Sequence, residues 1–147
     1  MHAEGGCIVV QLMHTGRISH PDNTPHQRTP VAPSAIQPKG VMFTTGGPQE
    51  MPVPRALTAD EITGVVDEFR YVAAAAVAAG FDGVEIHGAN GYLLHQFLSA
   101  NANNRTDQYG GSVTNRIRFT AEVTSAVASE IGADRTGLRI SPGNRSN

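Results

Sequence analysis

Phe81-Asp82-Gly83-Val84-Glu85-Ile86-His87-Gly88-Ala89-Asn90-Gly91-Tyr92-Leu93-Leu94-His95-Gln96-Phe97-Leu98 is the stretch on which the fold turns. Its Val84-Glu85-Ile86 core lies between glycines and is too short for a helix, so it predicts a strand that ends at His87. Gly88-Ala89-Asn90-Gly91 is turn chemistry, and Tyr92 to Leu98 predicts a short helical turn. Upstream, Thr58-Ala59-Asp60-Glu61 has the spacing of a capping box, which starts a helix over about 59 to 79. Ile62, Val65, Val66, Phe69, Ala73, Ala76 and Val77 form its apolar stripe, and Gly80 can stop it in the left-handed region.

Downstream, a polar loop from Asn101 to Gly111 leads to Ser112, a capping residue for a second amphipathic helix. Ile117, Ala121, Val123, Val127 and Ile131 mark that helix, Gly132 stops it, and Gly137-Leu138-Arg139-Ile140 predicts another strand. Near the start, Cys7-Ile8-Val9-Val10 is β-branched without alternation and predicts a strand over 6–11 covered on both faces. Between His14 and Leu57 there is little periodicity, and eight of the nine prolines fall there. That segment reads as one long loop, with the length of a lid or pocket wall. Strands separated by capped helices imply right-handed crossovers and a parallel sheet, in an α/β barrel or a doubly wound fold.

Composition bounds the function. Of 147 residues, 39% are hydrophobic and 16% charged, with 11 basic and 13 acidic side chains, the balance of one ordinary globular domain. Without a basic surplus, nucleic acid and anionic membrane are not favoured partners. Cys7 stands alone, no basic leader opens the chain, and no stretch approaches the ~20 apolar residues of a membrane span, so the expectation is cytoplasmic. The histidine spacings do not match the i, i+4 helical pair of zinc hydrolases, and no metal site is expected. Dinucleotide fingerprints, phosphate loops and nucleophile elbows are also missing. A complete eight-stranded α/β barrel needs ~200 residues at least, more than this chain has.

In parallel α/β folds the reactive groups gather beyond the carboxyl ends of the strands. Those ends carry Gln11, His87 and Arg139, which predicts a shared pocket. His87 and Asn90 lie around one glycine-containing turn and can both donate to a single acceptor, such as a carbonyl oxygen. Tyr92 reaches the same pocket, and a phenol is a proton donor at neutral pH. Each residue alone also has a structural reading: Gln11 as a strand-end amide, His87 as a satisfied histidine, Tyr92 as an aromatic packed on Leu93 or Phe97. Arg105, Asp107, Asn115 and Arg116 read as loop cross-links rather than catalytic groups.

Gln11-Leu12-Met13-His14-Thr15-Gly16-Arg17, Pro30-Val31-Ala32-Pro33-Ser34-Ala35, the run from Phe81 to Ser99, the run from Asn104 to Phe119 and Gly137 to Pro142 together resemble the old yellow enzyme family, with the N-ethylmaleimide reductase type of ene-reductase nearest. The resemblance implies a TIM barrel carrying FMN, of which this chain would be an internal segment covering about strands three to five of eight. It further implies that Gln11 hydrogen-bonds the flavin pyrimidine edge and that Arg139 sits near flavin N1 and the C2 oxygen. His87 and Asn90 would bind the carbonyl or nitro oxygen of an activated alkene, and Tyr92 would deliver the proton. NADPH or NADH would be the reductant. Met13 stands where many relatives carry Trp, and Asn101-Ala102-Asn103 replaces a stretch often containing proline, which predicts a looser loop. Residues 143–147 leave the family pattern.

A segment of this kind leaves sheet edges unpaired, which invites self-association. Three readings follow: an FMN-dependent ene-reductase in partial form, an inactive fragment or half-barrel needing a complementary piece, and a small-molecule binding module that reuses His87 and Asn90.

Overall fold

The computed structural model describes residues 1–143; residues 144–147 of the off-pattern tail lie outside the described residues. The central sheet has three parallel strands, β1 (Val9–Leu12), β6 (Gly83–Gly88) and β7 (Thr136–Ile140), in the order β1-β6-β7. Between them run β2 (Val31–Ala32), the hairpin β3 (Val41–Thr44) and β4 (Gly47–Glu50), then β5 (Arg55–Ala56) and the helices α1 (Ala59–Ala78), α2 (Leu93–Leu98) and α3 (Val113–Ile131).

The helix boundaries follow from local chemistry. Thr58 Oγ1 accepts from Glu61 N at 3.2 Å while the Glu61 carboxylate accepts from Thr58 N at 2.8 Å, completing the capping box. Gly80 follows α1 at φ +97°, and Ser112 caps α3 through Asn115 N at 3.2 Å. From α1, Ile62, Val65, Phe69, Ala73 and Ala76 are buried against the sheet and α3. Phe97 of α2 is the hub, fully buried with its ring 4.4 Å from Phe119 and 6.3 Å edge-on from Tyr109.

Four expectations need correction. On α3, Val123 and Val127 are buried and Ile131 packs against the core as expected, but the buried face also takes in Phe119 and Thr120, and Ile117 and Ala121 are exposed, because the side facing α1 and α2 is centred on the 119–123–127 row. The strand containing Val9 is not covered on both faces. The parallel register pairs Gln11 with Glu85 and His87 with Arg139, so these four project from one face while Leu12, Val84 and Ile86 project from the helix-covered one. On that first face Val9 is 57% exposed.

The loop from His14 to Leu57 also has structure of its own. β2 pairs with β5 in parallel, and β3 pairs with β4 in a hairpin turned at Thr44-Thr45-Gly46-Gly47. Pro48 sits within β4, a position open to proline in an isolated two-stranded ribbon, whose outer N–H side needs no partner. Finally, the stretch Asn101-Ala102-Asn103 is anchored rather than loosened. Ala102 is fully buried, Asn103 Nδ2 donates to Phe97 O and Tyr109 O at 2.8 Å each, and Asn103 Oδ1 accepts from Arg105 N at 3.1 Å. One amide side chain thus ties this stretch to α2 and to the loop before α3.

Candidate active site

Glu85 organises one half of the site. Its Oε1 accepts from Gln11 Nε2 at 2.6 Å and from Arg139 Nε at 2.8 Å, while Oε2 accepts from Arg139 Nη2 at 3.0 Å. The three side chains come from β1, β6 and β7, so the carboxylate ties the open face of the whole sheet together. Arg139, and secondarily Gln11, hold the Glu85 carboxyl below its usual range, and Glu85 in turn holds the Arg139 guanidinium above its own. Sequence reasoning placed Gln11 and Arg139 but missed Glu85. The signal was its position: the one acidic residue in the central strand, two residues before His87 on the same face.

The second half lies at the carboxyl end of β6. His87 is buried, its ring centroid is 5.4 Å from that of Tyr92 at a 53° tilt, and neither ring nitrogen has a hydrogen-bond partner. A buried imidazole with two unsatisfied nitrogens is costly, and such orphans concentrate where a ligand completes them. Asn90 is exposed at φ +55°, a left-handed conformation that Asn tolerates, and its backbone N–H donates to Ser141 Oγ at 3.0 Å, just beyond β7. Tyr92, partly buried, is the residue immediately before α2.

The structure therefore brings Gln11 and Arg139 together through Glu85, and His87 together with Tyr92. Both groups stand on the same sheet face, with His87 level with Arg139 in the register. A cleft of about 800 Å³ lies elsewhere, between α1 and the loop after β1, and is lined by His14, Ser19, Arg28, Arg55, Glu61 and Glu68 among others. None of the five expected site residues lines it. Burial pushes the His14 imidazole down in pKa, and its Nδ1 accepts from Gly16 N at 3.0 Å.

The Arg105 loop is structural. Its guanidinium donates to Leu57 O at 2.6 Å and Pro33 O at 2.9 Å and pairs with Asp107, stitching the loop before α3 to the β2 and β5 region. Arg116 donates to Leu98 O at 2.9 Å and to Gly111 O. Among the described residues no cluster of three His, Cys, Asp or Glu side chains could hold a metal ion, and no helix is long and apolar enough to cross a membrane.

Comparison with known proteins shows the family of the chain. The chain is 48% identical over 146 residues to the putative 12-oxophytodienoate reductase 5 of Oryza sativa subsp. japonica, covering 97% of this chain and 37% of that protein. It is 47% identical over 152 residues to a probable flavin mononucleotide-dependent alkene reductase of Leishmania infantum, covering 100% and 42%. The old yellow enzyme homologue from Zymomonas mobilis superposes with a TM-score of 0.94 at 44% identity, over 99% of this chain and 40% of that one. The chain thus spans about two-fifths of the length of the relatives it matches. Since residues 1–146 match the NADH:flavin oxidoreductase / NADH oxidase family, the chain belongs to that family.

Proposed function

We propose that this chain forms the flavin-edge and substrate-facing portion of an FMN-dependent ene-reductase, contributing the third to fifth strands of an eight-stranded barrel. The observation that carries the reading is the His87 imidazole, buried beside Tyr92 with both nitrogens unsatisfied and followed by the Asn90 turn. The residues present fit an FMN ring on the open sheet face. Gln11 uses only its Nε2 toward Glu85, which leaves the amide oxygen as an acceptor for a ring N–H. Arg139 uses Nε and Nη2, which leaves the Nη1 donors and a fixed positive charge for an electron-rich ring edge.

When bound, FMN supplies hydride transfer from NADPH or NADH to the β-carbon of an activated alkene such as an enone, maleimide or nitroalkene. His87 and Asn90 donate hydrogen bonds to the carbonyl or nitro oxygen and so draw electron density away from the β-carbon. Because both His87 nitrogens are shielded, a neighbouring side chain shifts when the substrate oxygen approaches. Tyr92 gives its hydroxyl proton to the α-carbon, a step worth about 10²–10⁴-fold in rate.

The test is NADPH consumption by the chain with FMN upon addition of cyclohex-2-enone. The reading expects alkene-dependent consumption that falls at least about tenfold in Asn90→Ala and in His87→Ala. Consumption indifferent to the alkene, or unchanged in both variants, overturns it.

A second reading is favoured by the outer strands, where Val9 is 57% and Ile140 55% exposed. Such surface belongs against further strands, so the active form is a half-barrel joined to a complementary piece. Mixing the chain with the matching remainder of a relative then yields a defined heterodimer that retains flavin. Two components that elute separately count against it.

A further inference from the structure

We infer that Gln96 is a positioning residue that fixes the substrate-facing turn, locking Asn90 and Tyr92 to the loop beyond β1. The inference rests on the reading of those two residues given above and adds a residue to it. Gln96 is fully buried in α2, and every polar atom of its side chain is used. Nε2 donates to Gly91 O at 2.7 Å and to Thr15 O at 3.1 Å, and Oε1 accepts from Arg17 N at 3.1 Å. One amide therefore bonds three backbone groups on two loops, at Thr15 to Arg17 and at Gly91, that are far apart in sequence.

The turn it holds needs holding. Asn90 and Gly91 are consecutive left-handed residues, φ +55° and +82°, and an L-residue such as Asn90 is kept there by its surroundings. The Gly91 peptide is gripped at both ends, since its N–H donates to His95 Nδ1 at 2.9 Å while its carbonyl takes the Gln96 amide. On the opposite side, the loop has been shaped around the amide: a Cβ on Gly16, itself at φ +61°, would lie 2.2 Å from Gln96 Oε1. Glutamine that only filled core space would have no such cradle, and an apolar side chain of equal volume would serve as well. A buried amide with three backbone partners instead fixes one relative placement of the two loops.

The test uses NMR of the full chain without cofactor, comparing Gln96→Met, which keeps volume and removes all three bonds, with Gln96→Glu, which keeps the acceptor for Arg17 N–H and loses both donors. In Gln96→Met the Arg17 amide exchanges at least about tenfold faster, and the Asn90 to Tyr92 resonances, including the Tyr92 ring, shift or broaden while α1 and α3 amides keep their protection. In Gln96→Glu the Arg17 amide stays slow but the Asn90 to Tyr92 signals still move. Unmoved Asn90 to Tyr92 signals in either folded variant overturn the inference, as does a change spread evenly over α1 and α3. Should a substitution prevent folding, the unmodified chain decides: Gln96 Nε2 protons exchanging as fast as exposed amides overturn it, and strong protection supports it. Absence of any alkene reduction counts against the proposed function alone, because none of these spectra involves flavin or substrate.

Discussion

The Glu85 carboxylate holds the Arg139 guanidinium through two hydrogen bonds, Nε to Oε1 at 2.8 Å and Nη2 to Oε2 at 3.0 Å, across the β6–β7 pair. This bidentate geometry fixes the plane of the guanidinium, which a single bond would leave free to rotate. Glu85→Gln keeps the shape and one accepting oxygen but loses the charge and turns the second oxygen into a donor, so the bidentate hold on Arg139 is broken. The Arg139 side chain is 55% exposed, and exposed pairs add little to stability, so the melting temperature stays nearly constant. Flavin retention instead falls several-fold, measured by FMN fluorescence titration.

The same pair has a definite pH window. Glu85 is held below the ordinary carboxylate range, so its folded form stays ionised where the unfolded chain would already take up a proton. The contribution of the pair is present above the unfolded value of about 4.5 and is lost as pH falls through the lowered folded value. Chemical-shift titration of the Glu85 carboxyl carbon checks this, with a midpoint below that of an exposed glutamate as the expected outcome.

His95 gives a second pH dependence of the same sign. Its Nδ1 accepts from Gly91 N, which requires the neutral ring, and burial lowers its pKa from 6.5. Because the folded value lies below the unfolded one, the bond is present above 6.5 and is lost as pH falls through the lowered value. Hydrogen exchange at the Gly91 amide, corrected for intrinsic rate, therefore loses protection on acidification.

Tyr92→Phe separates chemistry from packing. The ring remains beside His87, so fold and flavin retention are unchanged, while the rate of alkene reduction drops about 10²–10⁴-fold. Single-turnover measurement with cyclohex-2-enone reads this directly; an unchanged rate assigns the proton to another donor.

Phe97→Ala tests the core that supports the site. The ring is fully buried against Phe119 and Tyr109, and its removal costs about 3–5 kcal/mol, measured by urea denaturation. Thr58→Ala, which removes half of the capping box, costs about 0.5–2 kcal/mol in the same experiment.

Sequence and structure agree where local chemistry decides. Capping at Thr58 and Ser112, the glycine stops and the Val84-Glu85-Ile86 strand were all legible, because each depends on a few neighbouring residues. The buried stripe of α3 was not: Ile117 and Phe119 are both apolar, and only the placement of α1 and α2 decides which one faces inward. The hairpin at Val41 to Glu50 escaped because Pro48 sits in its second strand and the segment around it is rich in proline. At the site, the nearness of His87 to Tyr92 was legible from spacing, whereas the partners of Glu85 and Gln96 were not. Those partners, Gln11 and Arg139 in one case and Thr15 and Arg17 in the other, are dozens of residues away in sequence.

The most direct test of the central claim is gel filtration of the pure chain with simultaneous absorbance at the flavin bands, before and after addition of FMN. The account predicts flavin co-eluting with protein at a defined mass, and loss of that flavin when Gln11 and Arg139 are both replaced by Leu. Protein that elutes colourless after FMN addition, or flavin retained equally by the double variant, would contradict it.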